Sequence, residues 1–308
     1  MDREPGLITV VTSASLDAEV EARKPEVVER GIAFRKEMDR EMVGLLRRTT
    51  LPLFWYSKEH DHHLPLGTGV LFKIAGYTFL VSASHVLREV LPDECGQLAE
   101  LHVALNESGA LIAISGTLCG DRSDAIDLGV IELSPASVAH LAAAQALTLD
   151  DVEASELPPL KGWYYVYGFP LVWRPPADQV RKDGIKEIRG RPFSYSTTLF
   201  TGGVDEFKHF HLVLEVDPAG TVDGEQRPAE TPVDFKGISG CPIWRSFAFG
   251  NNSVDWRVKH AKVVAVQTDV LPRGSKRLVR GTKWSVVLEL LLKTYPGLAP
   301  VLRLQRTP

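Results

Sequence analysis

The chain has 308 residues, of which 44% are hydrophobic and 24% are charged, and its formal net charge is −4. This composition is that of a compact folded protein and argues against a disordered or fibrous chain. The balance of charges gives no electrostatic reason to expect nucleic acid or an anionic membrane as a partner. The first residues lack the basic-then-apolar pattern of a secretory signal, and no apolar run is long enough to span a bilayer, so we expect a cytoplasmic protein.

The cysteines Cys95, Cys119 and Cys241 are few, odd in number and without C-x-x-C spacing. They suggest neither a disulfide framework nor a zinc site, and they fit a reducing compartment. A second candidate for metal binding is the histidine-rich run 58–63, directly before Pro65. A polar run of this kind is more typical of a solvated loop than of ligands held in a rigid frame. We therefore expect no metal and no cofactor.

Apolar residues recur at helical spacing from about residue 15 to residue 48, and Pro25 interrupts or restarts the pattern. This predicts a helical N-terminal extension over residues 1–50. Packing against the main domain is the usual role of such an amphipathic face. Contact with a regulatory protein partner, or gating of a site, is the alternative role.

Two β-rich runs at 67–74 and 77–83 are joined by Ala75-Gly76 and predict a hairpin. The second run leads into Ser84-His85. A histidine at the point where a strand ends and a helical turn begins is held firmly by the backbone. It is a candidate for proton transfer, with a purely structural role as the alternative.

Apolar runs at 101–105, 111–114 and 128–133 predict three further strands. Asp121, Asp124 and Asp127 precede the last of them, but the segment lacks the glycine and the terminal glutamate of a calcium loop. Only Asp127 directly adjoins the strand. It alone is therefore expected to be fixed rigidly enough to orient another side chain, whereas the other two fit a turn.

The second half of the chain is again rich in predicted strands, at 163–170, 187–201, 210–216, 242–249 and 262–268. An alanine-rich helix is expected at 138–147, and an amphipathic helix at 282–294. This order predicts a mainly β protein with two consecutive β-barrels. We expect the first barrel in residues 51–150, the second in 151–281, and a C-terminal helix and tail in 282–308.

A serine lies between glycines in Gly237-Ile238-Ser239-Gly240-Cys241-Pro242. Glycines permit a tight turn that pushes the hydroxyl outward. The amides of Gly237 and Ser239 could then stabilise an oxyanion on a carbonyl that Ser239 attacks. Because serine is a weak nucleophile at neutral pH, it needs a neighbouring base that is oriented by a third group.

His85, Asp127 and Ser239 follow one another in the order of the chymotrypsin triad. Together with Gly67-Thr68-Gly69-Val70, their surroundings resemble the trypsin/chymotrypsin-like serine peptidases over about residues 64–268. The resemblance implies a two-barrel chymotrypsin-like fold and hydrolysis of peptide bonds through an acyl-enzyme. Ser239 would be the nucleophile, His85 the base and Asp127 the orienting acid, with the oxyanion hole formed by the amides of Gly237 and Ser239.

The resemblance also implies where a substrate binds. An extended peptide would lie along the strand edge at Val266, Gln267 and Thr268. The first specificity pocket would have its floor just before the nucleophile, where Asp234 would attract a basic side chain and Val233, with its neighbour Phe235, an apolar one. The partner is then a protein or peptide substrate, with no role for nucleic acid or membrane.

Two positions depart from the secreted digestive members of the family. Ile238 replaces the aspartate that receives a newly cut N-terminus, so activation by N-terminal cleavage is not expected. Val86 replaces a cysteine next to the histidine. The chain therefore looks more like the intracellular bacterial branch. A catalytically silent peptide-binding module and a serine esterase on the same fold are the alternatives.

Overall fold

The computed structural model describes residues 25–57, 62–88, 101–105, 110–119, 125–153, 163–171, 192–200, 210–216, 221–223, 235–246, 256–273 and 276–303. The chain divides into two compact units, Met1–Arg40 and Glu41–Pro308. Helix α1 (Pro25–Thr49) begins at a proline, whose fixed φ and missing N–H suit the first helical position. Within the first unit, Arg35 and Asp39 form an ion pair at 2.9 Å one helical turn apart. The predicted helical residues 15–24 lie outside the described part.

The first sheet has seven antiparallel strands in the order β5-β4-β1-β2-β3-β7-β6. Its strands are β1 (Thr50–Ser57), β2 (His62–Ile74), β3 (Tyr77–Ala83), β4 (Leu101–Ala104), β5 (Leu111–Ala113), β6 (Gly116–Leu118) and β7 (Leu128–Leu133). The short helix α2 (Ser84–Arg88) follows β3, and α3 (Pro135–His140) follows β7. The hairpin predicted from β2 to β3 is confirmed. Its turn residues Ala75 and Gly76 both have positive φ, as a type I′ two-residue hairpin turn requires.

The second sheet also has seven antiparallel strands, in the order β10-β14-β13-β12-β8-β9-β11. Its strands are β8 (Tyr164–Gly168), β9 (Phe193–Thr197), β10 (His211–Glu215), β11 (Thr221–Asp223), β12 (Pro242–Arg245), β13 (Lys262–Arg273) and β14 (Lys276–Lys283). Helices α4 (Trp284–Thr294) and α5 (Ala299–Arg303) follow β14. Both sheets curl into half-barrels, so the protein is mainly β, as the sequence predicted.

Each sheet encloses its own apolar core. Leu53, Leu80 and Ile131 are fully buried in the core of the first sheet. Val166 and Tyr195 are fully buried in the core of the second. Alternate residues of a strand face opposite sides of the sheet, and those on the inner side of several strands together form each core. The two cores therefore fix the strands whose ends carry the candidate site.

Three sequence expectations need correction. The alanine-rich helix spans Pro135–His140 rather than residues 138–147. It is followed by a turn, and Leu147 is in extended pairing: its N–H donates to Leu71 and its carbonyl accepts from Lys73. The histidine-rich run is not wholly a loop, since strand β2 begins at His62. Finally, residues 276–283 form strand β14, so the last long helix begins at Trp284 rather than at residue 282.

Within the described ranges, no single helix is long and apolar enough to cross a membrane. Helix α4 and the segment from Pro296 to Leu302 reach that length and apolar character only when counted as one, and the chain bends by 119° between them.

Candidate active site

The first sheet brings His85 and Asp127 into direct contact. His85 lies in α2, and Asp127 directly precedes β7, the neighbour of β3. The backbone N–H of His85 donates to Asp127 Oδ1 at 2.9 Å, and the ring Nδ1 lies 2.7 Å from Oδ2. An ionised carboxylate only accepts, so Nδ1 carries the proton and Nε2 is left as the acceptor. The imidazole is 46% exposed, whereas the Asp127 side chain is 12% exposed.

The backbone of Asp127 is unusual and firmly held. Its φ is +49°, a left-handed value that aspartate tolerates better than most residues. Its carbonyl accepts the N–H of Ser84 at 3.1 Å. The turn before β7 thus presents both carboxylate oxygens to one residue, which fixes the tautomer and the plane of the imidazole.

Ser239 lies in a tight turn that two glycines make possible. Gly237 has φ +95° and Gly240 has φ +91°. A Cβ on Gly237 would lie 2.5 Å from the Phe169 carbonyl oxygen, and one on Gly240 would lie 2.0 Å from the carbonyl oxygen of Thr68. Both positions therefore need glycine for backbone conformation and for close packing.

Four consecutive carbonyls of this turn each accept a hydrogen bond. The N–H of Leu171 donates to Lys236 at 2.8 Å, and the N–H of Cys241 donates to Ile238 at 3.0 Å. The hydroxyl of Thr68 donates to the carbonyl between these two, that of Gly237, at 2.8 Å, and the Thr68 N–H donates to Ser239 at 2.9 Å. Every peptide unit from 236 to 240 is thus held by its carbonyl.

These carbonyls also set the direction of the amides. In a trans peptide the N–H points away from the carbonyl of the same unit. The fixed carbonyls of Lys236 and Ile238 therefore turn the amides of Gly237 and Ser239 to the opposite side. Among the described residues, neither amide donates to a backbone carbonyl, whereas those of Ile238 and Gly240 both do. Within the described part of the chain, both amides are therefore without a backbone acceptor, as the donors of an oxyanion hole must be.

The turn at Ser239 lies against the part of the first sheet that carries His85. A Cβ on Gly67 would be 3.0 Å from the Ser239 carbonyl oxygen and 2.7 Å from the side chain of Val86, the neighbour of His85. The contact is therefore a close one between backbones. Among the described residues, the Ser239 side chain makes no hydrogen bond to His85. Such bonds are often long in unliganded enzymes and shorten when substrate binds.

Thr282 makes a second contact between the sheets, in which the second sheet supplies the donor and the first half of the chain supplies the acceptor. It lies in β14 of the second sheet and is fully buried. Its hydroxyl donates at 2.5 Å to the carbonyl of Ile126, the residue before Asp127. Sequence reasoning assigned no role to Thr68 or Thr282, because a threonine in a strand is ordinary and only the contact between sheets distinguishes these two.

Cys241 is close to Ser239 in sequence but does not compete as a nucleophile. It is fully buried as a free thiol. Burial raises the pKa of the Cys241 thiol far above its ordinary value. Since the thiolate is the reactive form, this cysteine is an inert core residue.

The predicted substrate edge is open over only part of its length. Strand β13 is paired on both sides at Val266, with Pro242 and Thr282. Both backbone groups of Gln267 bond to the Ser239 turn, its N–H to the carbonyl of Cys241 and its carbonyl to the N–H of Gly240. Neither Val266 nor Gln267 can pair with a peptide, so an open edge has to begin at Thr268.

The residues expected at the specificity pocket are only partly described. Val233 and Asp234 lie outside the described residues. Phe235 is 5% exposed, and its ring packs edge-on against Phe193 at 5.6 Å. Arg277 lies over the same ring at 5.7 Å. Phe235 is therefore a core residue that supports the turn.

No protein-family model matches the sequence, and no curated protein matches it.

Proposed function

We propose that the protein is a serine peptidase with a chymotrypsin-like fold, in which Ser239, His85 and Asp127 form the catalytic triad. The observation that carries the proposal is the pairing of His85 with Asp127 through both carboxylate oxygens, beside a serine turn with two unused amides. The two antiparallel half-barrels support the same class.

The chemistry follows from the hydrogen bonds. With its proton on Nδ1, His85 offers Nε2 to the hydroxyl of Ser239. Ser239 Oγ attacks the scissile carbonyl as its proton passes to Nε2, and the amides of Gly237 and Ser239 stabilise the resulting oxyanion. His85 then protonates the leaving amine, which gives an acyl-enzyme. A water molecule gives a proton to His85 and attacks the acyl carbon. The bond from that carbon to Ser239 Oγ then breaks, His85 returns the proton to Oγ, and the carboxylic acid product leaves.

The open edge of β13 provides a place for an extended peptide. The β13–β14 register shifts at Thr268, and from Asp269 onward β13 pairs with β14 and with no other strand in the described part of the chain. Backbone groups of alternate residues face the same edge, so Val270 and Pro272 share one direction. The N–H of Val270 already donates to Asp269 Oδ1 at 2.7 Å, and Pro272 has no N–H. We expect a peptide to pair with this edge through the carbonyls of Val270 and Pro272, and to displace the Asp269 carboxylate if it uses the Val270 N–H.

An alkyl fluorophosphonate tests the proposal without knowledge of the natural substrate. The expected result is one covalent adduct on Ser239 in the intact protein, located by peptide mass spectrometry, and none in Ser239→Ala. The Ser115→Ala variant is a matched control, since it removes a serine hydroxyl far along the chain from the turn. Equal labelling of the wild type and Ser239→Ala would refute the triad.

The two alternatives are separated by further results. Absence of any adduct, with retained binding of an extended peptide, would favour the silent binding module. Hydrolysis of activated esters but of no peptide in a mixed library would favour an esterase. The cytoplasmic location and the regulatory role of the N-terminal helix remain predictions.

A further inference from the structure

Among the described residues of the first sheet, Thr68 alone bonds to the Ser239 turn through both its backbone and its side chain. Its N–H donates to the Ser239 carbonyl at 2.9 Å, and its hydroxyl donates to the Gly237 carbonyl at 2.8 Å. The same hydroxyl oxygen accepts the N–H of Phe169 at 3.4 Å. The side chain is fully buried, so water cannot replace these bonds.

Thr68 is itself held in place by the strand that leads to His85. The hydroxyl of Ser82 donates to the Thr68 carbonyl at 2.7 Å, and Ser82 lies three residues before His85. The turn packs closely on this pair, since a Cβ on Gly240 would meet the Thr68 carbonyl oxygen at 2.0 Å and Ser82 Oγ at 2.1 Å. Strand β3 therefore fixes the position of the Ser239 turn through Ser82 and Thr68, and it also fixes His85, which follows it in the chain.

The carbonyl that the hydroxyl of Thr68 holds belongs to Gly237, whose amide is one of the two unused donors. Gly237 has φ +95°, and glycine has broad conformational freedom there. The peptide unit after Gly237 lies between the two units that carry the amides of Gly237 and Ser239. Without the hydroxyl it keeps only the bond from the Ile238 N–H to Phe235. Rotation of this linking unit would change the angle between the two amides.

We propose that Thr68 is a positioning residue for the triad: its hydroxyl fixes the Gly237 peptide unit, and so aims both oxyanion-hole amides relative to His85. This rests on the proposed function. Thr68 does not touch the reacting atoms, so it acts on the rate of the covalent step rather than on binding. A misplacement of about 1 Å in such a site lowers rates by about 10²-fold.

The test compares Thr68→Val, which removes only the hydroxyl at nearly constant shape, with Thr68→Ser, which keeps it. The maximal rate of phosphonylation and the half-saturating concentration of an alkyl fluorophosphonate are measured separately. We expect Thr68→Val to lower the maximal rate by about 10- to 100-fold with little change in half-saturation. Thr68→Ser should recover most of the rate. Thr197→Val is the control, because it removes another buried hydroxyl that donates to a carbonyl, that of Glu215.

Each outcome decides a different point. If the wild type labels on Ser239 and Thr68→Val labels at the same rate, the positioning role is wrong and the proposed function stands. If Thr68→Ser is as slow as Thr68→Val, or Thr197→Val is equally slow, the hydroxyl is not the cause and the role is again overturned. If the wild type forms no adduct on Ser239, the proposed function fails and the positioning role fails with it. Thermal unfolding of each variant identifies any that does not fold, and in that case the rates of Thr68→Ser against the wild type decide.

Discussion

Replacement of Asp127 by asparagine tests the orientation of His85 with almost no change in shape. Asp127 now accepts from the backbone N–H of His85 at 2.9 Å and from Nδ1 at 2.7 Å. Asparagine has one acceptor oxygen and one NH₂ group, so it can satisfy only one of these donors. The left-handed φ of +49° is also acceptable to asparagine, which removes backbone strain as a separate cause.

The size of the effect follows from the two possible arrangements. If the amide oxygen faces the His85 N–H, its NH₂ faces Nδ1, and the ring proton moves to Nε2, where it blocks proton transfer from Ser239. The reverse arrangement opposes two donors, at a cost of about 1–3 kcal/mol, which favours the unproductive tautomer by about 5- to 150-fold. The lost carboxylate also removes up to about 4 kcal/mol of attraction for the imidazolium. We expect a fall of about 10³- to 10⁴-fold, as in a known triad.

The assay is the rate of Ser239 phosphonylation by an alkyl fluorophosphonate, followed by intact mass, alongside thermal unfolding. Asp151→Asn is the matched control. Asp151 likewise accepts two bonds, from the N–H and the hydroxyl of Thr148, each at 2.8 Å. A folded Asp127→Asn protein that reacts within tenfold of the wild type would show that Asp127 does not orient the base.

Three further predictions follow from described contacts. Gly237→Ala places a Cβ 2.5 Å from the Phe169 carbonyl oxygen at a positive φ, so phosphonylation should fall by at least about 10²-fold; an unchanged rate would exclude the Gly237 amide from the oxyanion hole. Thr282→Val leaves the Ile126 carbonyl unpaired and should lower the free energy of unfolding by about 1–3 kcal/mol in urea melts, whereas equal losses in Thr282→Ser would argue against the hydroxyl bond. The hydroxyl of Tyr295 donates to Glu132, and the pKa of Tyr295 is raised first by burial and then by this bond. The unfolded chain therefore loses the phenol proton at a lower pH than the folded chain. The free energy of unfolding should decline as pH rises above about 10. Tyr295→Phe should weaken that decline in urea melts at several pH values; an identical pH dependence would contradict this assignment.

Local signals allowed the first hairpin and the candidate residues to be predicted. Two β-rich runs and an Ala-Gly turn identify β2 and β3, and the glycines around Ser239 mark a turn that needs positive φ. The strand contexts of His85 and Asp127 also indicated that both are firmly held. These features depend on residues close together in sequence, so the sequence is informative about them.

Other features depend on contacts between distant residues. Strand β14 has the sequence KRLVRGTK, whose charges hide a strand that is paired on both sides. After His140 the alanine-rich segment continues as a turn, and at its end Leu147 pairs with β2, a contact with a distant strand that helix propensity does not reveal. The roles of Thr68 and Thr282 become visible only when the two sheets are placed together.

Thr68 and Thr282 bond across the boundary between the two sheets of the unit Glu41–Pro308, and this boundary divides the proposed triad. His85 and Asp127 adjoin strands of the first sheet, whereas the Ser239 turn leads into β12 of the second. In the proposed enzyme, a shift of about 1 Å along this boundary would lower the rate about 10²-fold. A ligand that altered the packing between the sheets would then change the activity without contacting any of the three side chains.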